Sequence, residues 1–451
     1  MRALFLSHIL PFPEIGGDRL RIGQSLRLLS ELYDVDVYSL TNDPSAAPMK
    51  EFLPSIREER RYFAPKLCRI ARALKSLING KTLEENLYMD PRLMVDLKRI
   101  VGEYDLIYCA SAVMAQYAME AGARNVALDM TDSLSMNFRN AARNAKGLKR
   151  LLLKENARRM EKYERKCRNM IPSIAYISRI DRDYLGEAKA SLSIVHNGVN
   201  RTDMRDGADG SKGADGTDGA KGAEGADARA VRPYICGGLR DGDRELVFVG
   251  KMDYEPNVTA VRFFAKEVMP RLRERYPDVK FTIVGIRPKA EVIELGRLPG
   301  VEVTGFVESL APYFERATAV VAPMLSGSGV QNKILEALGH GCYVLTTPIG
   351  FEGIESLGDV VDVIEPDAEA WVDAISGLFE NPAEAQKKAG KAAARVEEEF
   401  GIANVRAQFR RFLSFASEPG RARRDNASLP TGEGILASRI RGNGNFGFLR
   451  G

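Results

Sequence analysis

Two series of short apolar runs, each interleaved with stretches of helical periodicity, constrain this chain more than any other feature. The first series is "ALFLS" (3–7), "VDVYSL" (35–40), "DLIYCA" (105–110), "VALDM" (126–130) and "IAYIS" (174–178). Runs of this length and composition fit parallel strands covered on both faces. Helical stretches such as 18–32 lie between them, and alternating strand and helix predicts a doubly wound parallel sheet. The pattern resumes near residue 245 with "LVFVG" (246–250), "KFTIVG" (280–285), "VEVTG" (301–305), "AVVAPM" (319–324), "YVLTT" (343–347) and "DVVDVI" (359–364). After the first of these, Val258, Val261, Phe264, Val268 and Leu272 recur at gaps of three and four, which predicts one buried helix face. The chain therefore reads as α/β, with two Rossmann-like doubly wound domains at 1–200 and 244–384.

Residues 201–243 separate the two series, and within them "GADGSKGADGTDGAKGAEGAD" (207–227) carries glycine at every third position from Gly207 to Gly225. A collagen-like triple helix is one reading. The tract holds only seven glycine triplets and no proline to favour polyproline II, so a flexible charged linker is the better one. Residues 385–416 read as closing helices that return to the first domain, and 417–451, rich in Gly, Arg, Ser and Asn, as a disordered tail. A net charge of +4, from 65 basic and 61 acidic residues, selects no partner, and no nucleic-acid motif accompanies the basic residues. Cys68, Cys109, Cys167, Cys236 and Cys342 show no metal or redox spacing, as expected of a reduced cytoplasmic protein. "MRALFLSHILPFPEIGG" reads as a strand and not a signal peptide, and no uncharged apolar run reaches the roughly 18 residues of a membrane span.

One segment concentrates chemistry: "SGSGVQNKILEALGHG" (326–341). Gly329, Lys333 and Glu336 fall at spacings of four and three and share a helix face, flanked by Asn332, while Ile334, Leu335 and Leu338 point elsewhere. The glycine loop leaves the helix N-terminus open to an anion. One turn further on, Glu336 can accept hydrogen bonds from the vicinal hydroxyls of a ribose. Together these features describe a nucleoside diphosphate site. The competing reading is a glycine turn followed by a solvated Lys–Glu pair.

"PMLSGSGVQNKILEALGHGCYVLTT" (323–347) resembles the signature of family-4 glycosyltransferases of the GT-B fold, two Rossmann-like domains facing a central cleft. "FVGKMDYEPNVTAVRFF" (248–264), "VEVTGFVESLAPYFERATAVVAP" (301–323) and "IVHNGVN" (194–200) resemble further blocks, and Met-x-Tyr-x-Pro-Asn resembles the exopolysaccharide and PEP-CTERM-associated sugar transferases. The resemblance implies that Glu336 binds the donor ribose and that Lys251, after Gly250, is a cation for the diphosphate, with Lys333 as a second. It implies that Phe306 and Val307 read the base edge and that Gly16 and Gly17 line the cleft near the transferred sugar. The sequence departs from the pattern in three places. Ser328 stands where many relatives carry a second acid, Pro256 and Asn257 where they carry a second cation, and "LDMTDS" offers Asp129, Thr131 and Asp132 where many carry a first-domain histidine near the reacting carbon.

The resemblance implies a retaining glycosyltransferase, a hexosyltransferase type, acting on a nucleotide sugar without a further cofactor. Lys251, Lys333 and the N–H groups near Ser328 and Gly329 can stabilise the leaving diphosphate, and with no well-placed Asp-x-Asp the reaction is expected to need no metal. Asp132 is either the acceptor-side polar group or a helix N-cap. His8 is expected near the cleft, and His196 and His340 in structural roles. In "PKLCRIARALKSLING" (65–80), Lys66, Arg69, Arg72 and Lys75 form one stripe and Leu67, Ile70, Leu74, Leu77 and Ile78 another, and 146–168 adds more basic residues. This is either a helix for an anionic leaflet, which would make the acceptor lipid-linked at the inner face of the membrane, or a solvated helix packed on the domain. Rival readings are an epimerase or phosphorylase of the same fold and a non-catalytic scaffold.

Overall fold

The structure is a computed structural model, and it describes residues 1–14, 16–199, 244–327 and 329–417. The glycine tract, most of the tail and Ser328 therefore lie outside the described residues. Two parallel sheets form the centre of the described backbone. The first contains β1 (Arg2–Ser7), β2 (Asp34–Thr41), β3 (Glu58–Phe63), β4 (Leu106–Cys109), β5 (Val126–Thr131), β6 (Ser173–Tyr176) and β7 (Ser191–Ile194), in the order β3-β2-β1-β4-β5-β6-β7. The second contains β8 (Glu245–Val249), β9 (Lys280–Val284), β10 (Val301–Gly305), β11 (Ala319–Ala322), β12 (Val344–Thr346) and β13 (Asp362–Val363), in the order β10-β9-β8-β11-β12-β13. Both are doubly wound, and together they make the GT-B architecture of two Rossmann-like units.

The strand order reverses between β1 and β4 in the first sheet and between β8 and β11 in the second. At such a point the loops leaving the two strands part to opposite faces and open a crevice at their carboxyl ends. That topology places the loops after β1, β8 and β11 where a ligand can bind.

Val258, Val261, Phe264, Val268 and Leu272 are all fully buried, as their spacing requires. Removing each such side chain from water stabilises the fold by roughly 1.5–3 kcal/mol. The run is not one regular helix: Glu255–Phe263 and Met269–Arg275 are joined by a π-helical turn at Phe264–Val268. Pro270 cannot donate a backbone hydrogen bond and crowds the preceding turn, which accounts for the break. Trp371 closes this core edge-on to Phe264, with ring centroids 5.6 Å apart.

The chain end ties the two units together. The helix Pro382–Phe400 packs on the helix Asn332–Gly339 of the second domain, whereas Ile402–Ser417 lies across β5, β6 and β7 of the first. Phe409 and Phe412 are buried there against Tyr108, and Ser173 donates to the Phe412 carbonyl at 2.7 Å. Where the chain leaves the first domain it meets the segment that returns, with Val199 N–H donating to the Phe400 carbonyl at 2.8 Å.

Candidate functional site

A cleft runs between the domains over both crevices. It has two compartments, of about 600 Å³ and about 480 Å³. Asn197 and Asn332 line both and stand between them. The larger compartment meets Gly16, Gly17, Asp132, Lys251, Gly329 and Lys333. The smaller one contains Glu336, beside Ser309 and Leu310 from the second domain and Gln24 from the first.

The Glu336 side chain makes no hydrogen bond or ion pair with any described residue. Burial alone pushes its carboxyl up to about 7. Glu336 is half-buried, and a carboxylate withdrawn from water in a cleft without a protein partner is a candidate for completion by a ligand. Lys333, one turn earlier, does not pair with it, so the solvated Lys–Glu pair is not formed. Its ammonium donates to Asn257 Oδ1 at 2.5 Å and lies 4.6 Å from the centre of the Phe248 ring. Burial brings this lysine down to about 7. Asn257 is itself anchored, donating to the Lys251 carbonyl at 3.0 Å. The side chain that replaces the expected second cation thus holds Lys333 beside the loop that carries Lys251. Lys251 is partly exposed, 3.6 Å from Asp253.

The loop after β11 reaches this compartment with left-handed backbone at Gly329, φ 73°. A Cβ there would lie 3.1 Å from Asp132 Oδ1, so the two domains approach closely at this point. The Asp132 side chain makes no hydrogen bond with a described residue, and burial, with Asp181 and Asp18 nearby, pushes it up to about 7. It is not the N-cap of the helix Leu134–Asn144, because Ser133 occupies that position. The bulge where β5 slips register against β6, between Asp129 and Thr131, turns Asp132 into the cleft. Thr131 also lines the compartment, with an unusual φ of 62° for a β-branched residue.

Asp129 is not available for chemistry. Arg21 grips it bidentately at 2.8 and 3.1 Å, and Tyr108 and Ser25 donate to it at 3.0 and 3.3 Å. Phe306 and Val307 do not line either compartment. Gly305, at φ 74°, turns the chain as β10 ends, leaving Phe306 69% exposed, and the residues of that loop that reach the cleft are Glu308, Ser309 and Leu310. His196 bonds to Gln408 and packs on Phe400, in a structural place. His340 ends its helix against Phe314 and touches the smaller compartment. His8 lies in a further cavity of the first domain that adjoins the larger compartment at Ile9 and Arg19, and burial lowers it to about 4.

Arg21 and Asn197 are functional neighbours that motif spacing does not reveal. Arg21 donates to the carbonyls of Val195 and His196 at 2.7 and 2.9 Å and to Asn197 Oδ1 at 3.4 Å, so it fixes the segment entering the cleft. The signal that could have found it is an arginine at helical spacing from Ser25, Leu28 and Leu29 on a buried face.

Residues 243–381 match the family described as "Glycosyl transferases group 1". An uncharacterized 44.6 kDa protein in the cps region of Klebsiella pneumoniae is 28% identical over 116 residues, which span 24% of this chain and 30% of that protein. In three dimensions the chain is similar to Anabaena HepE in complex with UDP (TM-score 0.60, 15% identity, 92% of this chain and 100% of that one). It is similar as well to sucrose-phosphate synthase from Thermosynechococcus elongatus (TM-score 0.61, 16% identity, covering 92% and 98%). A glycosyltransferase from Rickettsia africae gives a TM-score of 0.55 at 13% identity over 93% and 98%. The chain thus shares the GT-B fold with these structures, and its second domain matches the group 1 glycosyltransferases in sequence.

Proposed function

We propose that this protein is a retaining, metal-independent glycosyltransferase of the hexosyltransferase type, transferring sugar from a nucleoside-diphosphate donor to a glycan or lipid-linked acceptor in exopolysaccharide biosynthesis. One observation carries the reading: Glu336, a half-buried carboxylate with no hydrogen-bonding partner among the described residues, faces a cleft whose adjoining compartment holds Lys251, Lys333 and the glycine loop. The nucleoside would lie along the smaller compartment with its ribose on Glu336. The diphosphate would pass Asn332 into the larger compartment, against the N–H groups near Gly329 and the two lysines. Negative charge develops on that diphosphate as the sugar leaves, and cations fixed in advance around it lower the barrier without reorganising. Asp132 and the Gly16–Gly17 backbone flank the sugar from the acceptor side.

HepE binds UDP and UDP-glucose, which supports a nucleotide-sugar donor, and the cps-region relative supports a role in polysaccharide synthesis. Among the described residues no helix is long and apolar enough to cross a membrane. The reading assigns the enzyme to the cytoplasm, at the inner face of the membrane.

The test is thermal unfolding against a panel of nucleotide sugars, with wild type and Glu336→Ala. A ligand at a hundredfold over its dissociation constant stabilises by about 2.7 kcal/mol. The cognate donor should raise the wild-type midpoint and shift the variant much less. Release of free nucleoside diphosphate only when acceptor is added separates transfer from epimerisation. A wild type unmoved by every donor in the panel ends the reading.

A further inference from the structure

The helix Lys66–Leu74 is amphipathic in the wrong sense for a surface helix. No residue on it is buried. Its partly covered side chains are Arg69, Arg72 and Ala73, while Leu67, Ile70 and Leu74 face outward. Arg69 sits 5.2 Å from the centre of the Tyr88 ring, and Arg72 donates to Asp90 at 3.2 Å. The arginine stripe thus turns toward the protein and the leucine stripe away from it. A helix in water alone gains by the opposite arrangement.

Both sides have a counterpart. On the inner side is a cavity of about 210 Å³, lined by His8, Arg19, Arg69 and Arg72. Arg19 makes no hydrogen bond with a described residue and acts on Asp43 only through its charge, and His8 Nδ1 is buried without a partner. One carboxylate, Asp43, joins three arginines there. Ile9 and Arg19 line this cavity and the larger compartment of the cleft as well, so the two adjoin. On the outer side Leu77 and Ile78 are 71% and 88% exposed, and Leu148, Leu151 and Leu152 are exposed as well. Those leucines belong to the helix Gly147–Met170, which is tied to the same region by Arg159 donating to the Ser76 carbonyl at 2.5 Å. Lys66, Lys75, Lys149, Arg150 and Lys154 ring this surface in the open, and neither 64–83 nor 145–154 contains an acidic residue.

Building on the proposed glycosyltransferase function, we propose that the arginine-lined cavity under the helix Lys66–Leu74 holds the phosphate headgroup of an amphiphilic acceptor, which reaches it from an anionic lipid surface covered by the outer leucines. The helix then has one function on each face. Its leucines enter the interfacial region, where basic flanks favour anionic lipid. Its arginines, with Arg19, meet the headgroup as it leaves the surface. Ile9 and Arg19 mark where the acceptor's sugar enters the transfer cleft.

The experiment measures binding of dodecyl phosphate, dodecanol and inorganic phosphate to the full chain by isothermal titration, and flotation with phosphatidylcholine vesicles with and without phosphatidylglycerol. Dodecyl phosphate is expected to bind at least roughly tenfold more tightly than dodecanol, since a charge-assisted hydrogen bond is worth at least that, and more tightly than inorganic phosphate because its chain adds apolar contact with Leu10, Phe12 and Phe52 of the cavity. Arg19→Gln with Arg69→Gln should abolish the preference over dodecanol, and Arg69→Lys should keep part of it. Leu67→Ser with Leu77→Ser should lose flotation on phosphatidylglycerol vesicles yet still bind dodecyl phosphate. Equal binding of phosphate and alcohol, inorganic phosphate binding as tightly as the amphiphile, or unchanged binding in the arginine variant would overturn the proposal. Nucleotide binding through Glu336 is scored separately in the same proteins, so loss of the donor reading is distinguishable from loss of this one.

Discussion

Asn197 of the first domain donates from Nδ2 to Oδ1 of Asn332 in the second, at 2.7 Å, between the two compartments of the cleft. This bond links the domains where the diphosphate would cross. Two substitutions at Asn332 separate the linking role from the binding role. Asn332→Ala removes the acceptor, should cost about 1 kcal/mol, and should let the cleft open. Asn332→Asp keeps an acceptor for Asn197 but adds a negative charge beside the incoming diphosphate. Solution X-ray scattering should show expansion for the alanine variant and none for the aspartate, whereas nucleoside diphosphate affinity should fall further in the aspartate. The reverse ranking of affinities would remove the diphosphate from this place.

The pH dependence of the protein without donor carries a second signature. Glu336 and Asp132 titrate near 7 when folded, against 4.5 and 3.8 ordinarily, so the folded state holds their protons more tightly. Their contribution to stability is complete below the ordinary values and is lost as pH rises through about 7. Lys333 is shifted the other way, from 10.5 to about 7, so its contribution is complete at high pH and is lost as pH falls toward 7. The three groups therefore disfavour the folded state most near neutrality, where donor binding would relieve them. Denaturant midpoints measured across this range should dip near neutral pH. Glu336→Gln should flatten the acid limb, and Lys333→Met the alkaline one. A wild-type profile without a dip would show that these groups are not withdrawn from water as the geometry requires.

The contrast between what sequence showed and what it hid has a physical basis. Strands covered on both faces announced themselves as apolar runs. β3, "EERRYF", and β7, "SLSI", did not, and they are the two edges of the first sheet, where one side stays in reach of water and charge is tolerated. The site divides in the same way. Helical geometry put Lys333 and Glu336 one turn apart, as they stand on the helix Asn332–Gly339, but Gly329 lies in the left-handed loop before that helix and not on the shared helix face expected of it. Asn257 reaches Lys333 across 76 positions and Asn197 reaches Asn332 across 135, contacts that only the tertiary fold brings about. The inward turn of the arginine stripe at Arg69 and Arg72 belongs to this second kind: periodicity gave the two stripes but not which one faces the protein.

Two glycines test backbone approach against ligand approach. A Cβ on Gly285 would sit 1.6 Å from the Gly250 carbonyl oxygen, a backbone atom that cannot swing aside. Gly285→Ala should therefore disrupt the second domain, with circular dichroism and unfolding both affected. Gly329→Ala meets only the side chain of Asp132, at 3.1 Å, and adds the strain of a left-handed residue, roughly 1–2 kcal/mol. This variant should stay folded and lose nucleoside diphosphate affinity. If it binds as the wild type does, the anion does not approach the loop at this residue.

Arg21 and Asp129 offer the sharpest separation of stability from function. Both side chains are almost wholly buried, at 3% and 2% exposure, and the same guanidinium that grips Asp129 also donates to Asn197, which bonds to Asn332. Removing one partner of a buried pair leaves an uncompensated charge and costs about 3–5 kcal/mol, whereas replacing both by apolar residues is often close to neutral. Arg21→Met should therefore be strongly destabilised, and Arg21→Met with Asp129→Leu should recover much of the loss. The double variant still lacks the donor that orients the Asn197 amide. Its unfolding midpoint should approach that of the wild type while its nucleoside diphosphate affinity stays reduced and its cleft more open in solution scattering. Recovery of both stability and affinity would reduce Arg21 to a packing role and detach the buried ion pair from the site above it.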